Sequence, residues 1–306
     1  MQTTLATAFT LVGTGLHSGR LARLRVSPAP VDFGIEFRRI DITNVNNRIP
    51  ARFDFVNDTQ LCTRLCNGSG VEIATVEHLM AALSGCGIQN AIIEIDGPEV
   101  PIMDGSSERF VKEILQAGVS TLDKPTKILR ILRAISVSDG DAYAELSPSQ
   151  DFEIEFEISF TDSAIGTQQY FLNMKNGSFV RELSNCRTFC MFSDVEYMKS
   201  IGLARGGSLA NAVVIDDGTV LNPEGFRRTD ECVRHKMLDA MGDLALAGMP
   251  LIGRYHGIRA GHRMTNQLLL AVFDTSDSFE IVEVTSAQSE HLPGVGLSYN
   301  DLELAV

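Results

Sequence analysis

The chain is short of basic charge: 26 Lys and Arg stand against 39 Asp and Glu over 306 residues, a formal net charge of −13. A general nucleic-acid binder needs a basic face to displace counterions, and docking on anionic lipid needs a polybasic surface, so both classes are set aside. No run approaches the ~20 consecutive apolar residues of a membrane span. No basic stretch precedes the first apolar residues of MQTTLATAFTLVGTGLHSG, which reads as strand and turn rather than as a secretion signal. A cytoplasmic protein without stable membrane insertion is expected. Cysteine is sparse too. Cys62, Cys66, Cys86, Cys186, Cys190 and Cys232 include two C-x3-C pairs but no C-x2-C repetition, and they read as small buried hydrophobes rather than as a zinc ribbon. Only six histidines exist, His17, His78, His235, His256, His262 and His291. A metal or acid–base centre built on imidazole must draw on these.

What is present is globular: 44% hydrophobic and 21% charged residues. At ~150 residues per domain the length fits two domains. A break at GVSTLDKPT, residues 118–126, separates an N-terminal domain over 1–122 from a C-terminal one over 126–306. On each side strands precede helices, which predicts an α+β pair. In the first half 21–26, 34–38 and 91–95 read as strands. Thr75 reads as the cap of a helix running to about Ser84, and a second helix covers 108–117 after the turn DGSS. In the second half 127–137 and 142–146 read as strands. Phe152, Ile154, Phe156, Ile158 and Phe160 then alternate with polar residues, the pattern of a half-buried strand. A helix is predicted from about Asp230 to Ala247, closed by Gly248 and Pro250. HLMAALSG (78–85) and HKMLDAMG (235–242) share His, Met and Gly at matching places, which points to two related units.

The helix VRHKMLDAMGDLALAG puts His235 and Asp239 one turn apart on one face, with Asp243 a further turn on. Its other positions are apolar on nearly every side, and carboxylates buried there need a partner or a metal. A lone H-x3-D more often marks carboxylates on a solvent face, but the polar stripe here is narrow and poor in Lys and Glu. In TVEHLMAAL, Glu77 and His78 occupy the first turn of a helix; Glu77 fits either a carboxylate at a helix N-terminus or a base beside a metal, and His78 either a core histidine or a ligand. Two His and one Asp suit catalytic Zn2+ with an open position, and they equally describe an Fe2+ site. His256 and His262 lie in RYHGIRAGHRMTNQ, where GHRMTN reads as a turn. Residues 227–263 carry seven basic side chains (Arg227, Arg228, Arg234, Lys236, Arg254, Arg259, Arg263) against four acidic ones (Asp230, Glu231, Asp239, Asp243). That local excess of three predicts a basic pocket for a phosphate-bearing ligand.

Taken together, GTGLHSG (13–19), TVEHLMAALSGCGIQNAIIEIDGPEVPIMDGSS (75–107), RTF (187–189), GLARGGSLANAVVIDD (202–217), VRHKMLDAMGDLALAG (233–248) and AGHRMTN (260–266) resemble the UDP-3-O-acyl-N-acetylglucosamine deacetylases, the zinc amidases of lipid A biosynthesis. The motifs run over most of the chain in the family's order; the last ~20 residues depart from it, as a terminus tends to. The resemblance implies two related two-layer α/β sandwich domains with the active site between them. It implies Zn2+ on His78, His235 and Asp239, with Fe2+ as the alternative in the cell. Glu77 is then the base acting on the metal's water, and His262 the charged partner that stabilises developing charge, alone or as the acid for the leaving amine. Asp243 is implied to orient His262, and Thr188 to donate to the oxyanion. Lys236, Phe189, Arg259, Phe160, Leu61 and Gly207 are implied to contact the acylated UDP-sugar. Val195, Ala204, Leu209 and Val214 are implied to line an acyl passage. A monomer hydrolysing the N-acetyl amide is the expectation.

Overall fold

Alternation builds the longest strands. Phe152, Ile154, Phe156 and Ile158 are buried along Phe152–Ser159 while the residues between them are half-buried. This strand lies between Thr167–Asn173, antiparallel, and Leu251–Ile258, parallel. The computed structural model describes residues 1–305, with side chains at all of these but 286, 287 and 303–305.

Two sheets carry most of a mixed α+β fold. Phe9–Thr14, Leu21–Pro28, Ala91–Ile95, Ile35–Arg39 and Arg48–Pro50 form a five-stranded sheet in that order, and only the pair 35–39/91–95 is parallel. A seven-stranded sheet joins Lys127–Ile131, Ile135–Asp139, Ala142–Ser147, Phe152–Ser159, Thr167–Asn173, Leu251–Ile258 and Phe279–Glu283. Among the described residues seven α-helices follow in chain order: α1 (Glu77–Gly85), α2 (Glu108–Ala117), α3 (Ser178–Glu182), α4 (Phe192–Ser200), α5 (Glu231–Leu244), α6 (His262–Asp274) and α7 (Ser286–Ser289). Helix α5 packs on α1, on α6 and on strand 152–159. One apolar cluster runs through both halves of the chain, from Leu24, Phe37 and Ile93 through Leu79 and Met80 to Met237, Leu238, Phe156 and Leu268.

The differences from the sequence reading are local. The stretch 127–137 is two strands, because Leu132, Arg133 and Ala134 are exposed and the chain turns there, Leu132 N–H donating to Ser278 O. Segment 118–126 contains the strand Val119–Thr121, antiparallel to Thr3–Leu5. Thr75 does not cap α1: its backbone is left-handed at φ 59, its hydroxyl donates to Glu99 Oε1 at 2.9 Å, and the cap position falls on Val76. GHRMTN is no turn either, since α6 begins at His262 with Gly261 as its extended cap. Of the cysteines, all free, Cys66 and Cys190 are half-buried and the other four are buried.

Candidate active site

Helices α1 and α5 approach at a glycine. A Cβ on Gly242 would lie 2.7 Å from the carbonyl carbon of Glu77 and closer still to its oxygen, so only glycine lets α5 reach the first turn of α1. That approach brings His78 and His235 edge to face, with ring centroids 5.0 Å apart. One ligand atom from each of His78, His235 and Asp239 lies within 4.8 Å of the others, and all three residues are buried. Asp239 Oδ1 is 3.2 Å from His235 Nε2 and 3.5 Å from His78 Nε2, yet it accepts no hydrogen bond. The second oxygen, Oδ2, takes the Lys236 ammonium at 2.7 Å. His235 Nδ1 faces the Cys186 carbonyl at 3.0 Å; donating there leaves Nε2 with its lone pair turned inward. A buried carboxylate oxygen without a donor costs free energy unless something positive meets it. Three converging lone pairs from two imidazoles and a carboxylate fit a divalent transition metal.

Beside this cluster stands a second group. Glu77 Oε1 is 3.9 Å from His262 Nε2, and His262 Nδ1 is 2.8 Å from Asp243 Oδ2. Burial first, with the neighbouring Asp243 and Asp239 charges, pushes the Glu77 carboxyl up to about 8, although His262 opposes the shift. Burial disfavours a charged His262, but the Asp243 charge and hydrogen bond, with Glu77 behind them, outweigh it and raise the imidazole to about 9. Asp239 also loses solvation, but His235 and Lys236 more than compensate and hold it well below the usual carboxylate range.

Glu77, His78, His235, Asp239 and His262 line a cavity of about 470 Å3 with Thr188, Phe189, Phe160, Leu61 and Lys236. Thr188 Oγ1 makes no hydrogen bond among the described residues, and its backbone is pinned between Gly105 O and Val213 N. The rings of Phe160 and Phe189 meet edge to face at 5.5 Å. A second, apolar cavity of about 340 Å3 shares Leu61, Thr188 and Phe189 and continues past Val195, Ala204, Gly207, Leu209 and Val214. The four residues expected to line an acyl passage are therefore brought together next to the polar centre. Arg259 is not. It lines neither cavity and, half-exposed, pairs with Asp141 at 3.3 Å.

Residues 2–274 match the family described as LpxC, UDP-3-O-acyl N-acetylglycosamine deacetylase. The chain belongs to this family. Among curated relatives, the UDP-3-O-acyl-N-acetylglucosamine deacetylase of Phenylobacterium zucineum is 47% identical over 269 residues, 88% of this chain and 92% of its own. That of Sodalis glossinidius is 47% identical over 283 residues, covering 92% of each. That of Myxococcus xanthus is 45% identical over 301 residues, 98% of this chain and 94% of its own. A deacetylase is an amide-hydrolysing enzyme, and the cavity that holds Glu77, His262 and the three converging ligands has the groups such chemistry uses.

The local basic excess does not form one pocket in this deacetylase. Arg227 pairs with Asp104, Arg228 and Arg234 with Glu182, Arg254 with Glu155 and Arg263 with Asp139. Of the seven, only Lys236 lines the main cavity. His256 is likewise elsewhere, on strand 251–258 against Tyr143. Sequence reasoning missed three contributors: the Cys186 carbonyl, His17 and Thr63. His17 lines both cavities, and neither ring nitrogen has a hydrogen-bond partner among the described residues. Its loop is held by Glu99, which accepts from the backbone of His17 at 2.8 Å and of Ser18 at 2.7 Å. Thr63 donates through Oγ1 to Asp243 at 2.6 Å and through its N–H to Glu77 Oε2 at 3.1 Å. A histidine inside GTGLHSG was a visible signal; a backbone carbonyl and a threonine 180 residues from its partner carry none.

Proposed function

We propose that the chain hydrolyses the N-acetyl amide of a UDP-3-O-acylated N-acetylglucosamine, releasing acetate and the free 2-amine, the committed step of lipid A biosynthesis. The observation that carries this reading is one cavity holding three converging ligands, a buried carboxylate and a charged imidazole, opening into an apolar pocket. The active site is taken to lie between domains 1–122 and 126–306, which meet at α1 and α5.

His78, His235 and Asp239 would hold the metal, read as Zn2+. Such an ion, when bound, makes its water more acidic and draws charge from a carbonyl oxygen. Fe2+ uses the same donor set, so metal analysis of protein purified without oxygen decides between them. Glu77 takes the proton of the attacking water, with its carboxylate a few ångström from the His262 ring. The Thr188 hydroxyl, free of internal partners, donates to the oxyanion as the carbonyl carbon becomes tetrahedral. Protonated His262, held by Asp243, stabilises that charge and gives its proton to the departing nitrogen. Lys236 sits at the cavity wall with its ammonium on Asp239 Oδ2, a position from which it would hold the substrate. Phe160, Phe189, Leu61 and Gly207 supply contact surface, and Val195, Ala204, Leu209 and Val214 receive the 3-O-acyl chain, whose burial yields roughly 0.8 kcal/mol per CH2.

The test is metal-dependent acetate release from a UDP-3-O-acyl-N-acetylglucosamine by the purified chain, parent against Glu77→Ala. The variant is expected to fold and keep its metal while losing about 10²–10⁴ in turnover. Undiminished deacetylation by the variant removes Glu77 from the role of base. No acetate release by the metal-loaded parent removes the function.

A further inference from the structure

Each carboxylate flanking His262 has two oxygens. One oxygen of each faces the imidazole: Asp243 Oδ2 at 2.8 Å and Glu77 Oε1 at 3.9 Å. The other oxygen of each is held by the same residue. Thr63 Oγ1 donates to Asp243 Oδ1 at 2.6 Å, and Thr63 N–H donates to Glu77 Oε2 at 3.1 Å. The carbonyl of Thr63 accepts in turn from Val76 N–H, just ahead of α1. Thr63, Asp243, His262 and Glu77 thus close a ring drawn from four separate parts of the chain: the residue before strand Arg64–Cys66, α5, α6 and α1.

We infer that the Thr63 hydroxyl is a positioning group for the reaction: it fixes the Asp243 carboxylate so that a single oxygen presents to His262 Nδ1, and the imidazole is thereby aimed into the cavity. Thr63 is 1% exposed, so its hydroxyl is shut off from bulk solvent. Its backbone is anchored at both ends, by N–H to Glu77 and by C=O to Val76, which removes freedom from the donor before substrate arrives. A carboxylate that has lost this donor is free to rotate about its terminal torsion, which is broad and roughly two-fold, and the geometry of the Asp243–His262 bond loosens with it. Leu61, two residues earlier, holds φ 66 and lines both cavities, so the same short segment borders the acyl pocket and the acid–base ring.

This inference rests on the proposed roles of Asp243 and His262, and the experiment separates the two. Thr63→Val keeps the volume and the N–H and removes only the hydroxyl; Thr63→Ser keeps the hydroxyl. Both are compared with the parent in melting temperature, metal content, kcat and KM, at a temperature well below the lowest midpoint. Thr63→Val is expected to lower kcat by about tenfold to a hundredfold, the equivalent of one hydrogen bond to a charged group, with KM and metal content unchanged. Thr63→Ser recovers most of that loss. In an Asp243→Asn background Thr63→Val costs little more, because the hydroxyl acts through Asp243. Parent-like kcat in Thr63→Val overturns the inference, as does a Thr63→Ser variant equally poor, or losses that simply multiply with Asp243→Asn. Full turnover in Asp243→Asn alone overturns the roles on which the inference stands.

Discussion

Gly242→Ala adds one carbon at the tightest point of the site. That carbon would fall 2.7 Å from the Glu77 carbonyl carbon and 3.0 Å from its Cα, and both are helix backbone that cannot swing aside. The helices must part by about 1 Å, an overpacking that typically costs 1–3 kcal/mol. The larger effect is on chemistry. Glu77 and His78 sit on the first turn of α1, where the push is applied, while His235 and Asp239 ride on α5. Parting the helices therefore separates Glu77 and His78 from His235 and Asp239. A displacement near 1 Å lowers turnover by about 10²-fold. The assay is acetate release with metal content and melting temperature measured on the same preparation. Gly68→Ala serves as control, since a Cβ there meets nothing within 4 Å. Gly242→Ala is expected to melt a few degrees low, bind metal more weakly and turn over about a hundredfold more slowly. Parent-like turnover and melting would refute the claim that this approach sets the site.

On the proposed roles, activity should fall as pH rises through about 9, where His262 loses its proton, and should fall on the acid side as the base Glu77, raised to about 8, is protonated. In Asp243→Asn the charge that lifts His262 is gone while burial still disfavours the cation, so the alkaline limb should move to lower pH; a limb that stays in place removes His262 from that limb. Chelation should abolish turnover and lower the melting temperature, and added Zn2+ at a hundredfold excess over its Kd should restore about 3 kcal/mol. A melting temperature indifferent to chelator would mean that His78, His235 and Asp239 hold no ion.

Much of this was legible because the signals were local. Strand 152–159 announces itself through alternation, and α5 through an apolar surround in which His235, Asp239 and Asp243 follow one another a turn apart. The failures share a cause, which is contact at a distance. Thr75 has the right chemistry for a cap, but Glu99 claims its hydroxyl and φ 59 removes it from the cap geometry. The sum over 227–263 counted charges by position along the chain. In space the six arginines disperse onto carboxylates, and Asp104, Asp139, Asp141, Glu155 and Glu182 all lie outside the window. Net charge of a segment predicts a binding pocket only when the segment's partners are also inside it.

The repeat between 78–85 and 235–242 gains a physical meaning from the packing of α1 on α5. His78 and His235 hold the first place of the two matched octets, and Gly85 and Gly242 the last. Both glycines sit where an added Cβ would collide, Gly85 with the Phe179 ring and Gly242 with Glu77. The matched places thus supply two imidazoles and two close approaches, one to each helix. The unmatched places supply what the reaction needs beyond that. Asp239 stands where the first octet has Ala82, and it provides the third ligand atom from one helix only. Glu77 precedes the first octet where Arg234 precedes the second, and Arg234 is turned away onto Asp230 and Glu182. Two copies of α1 would lack the counterpart of Asp239, and two copies of α5 the counterpart of Glu77. On the proposed roles, breaking the match at these two places separates a carboxylate for holding an ion from a carboxylate for moving a proton, two tasks that require opposite environments. Asp239 is held low by His235 and Lys236, whereas Glu77 is pushed up by burial.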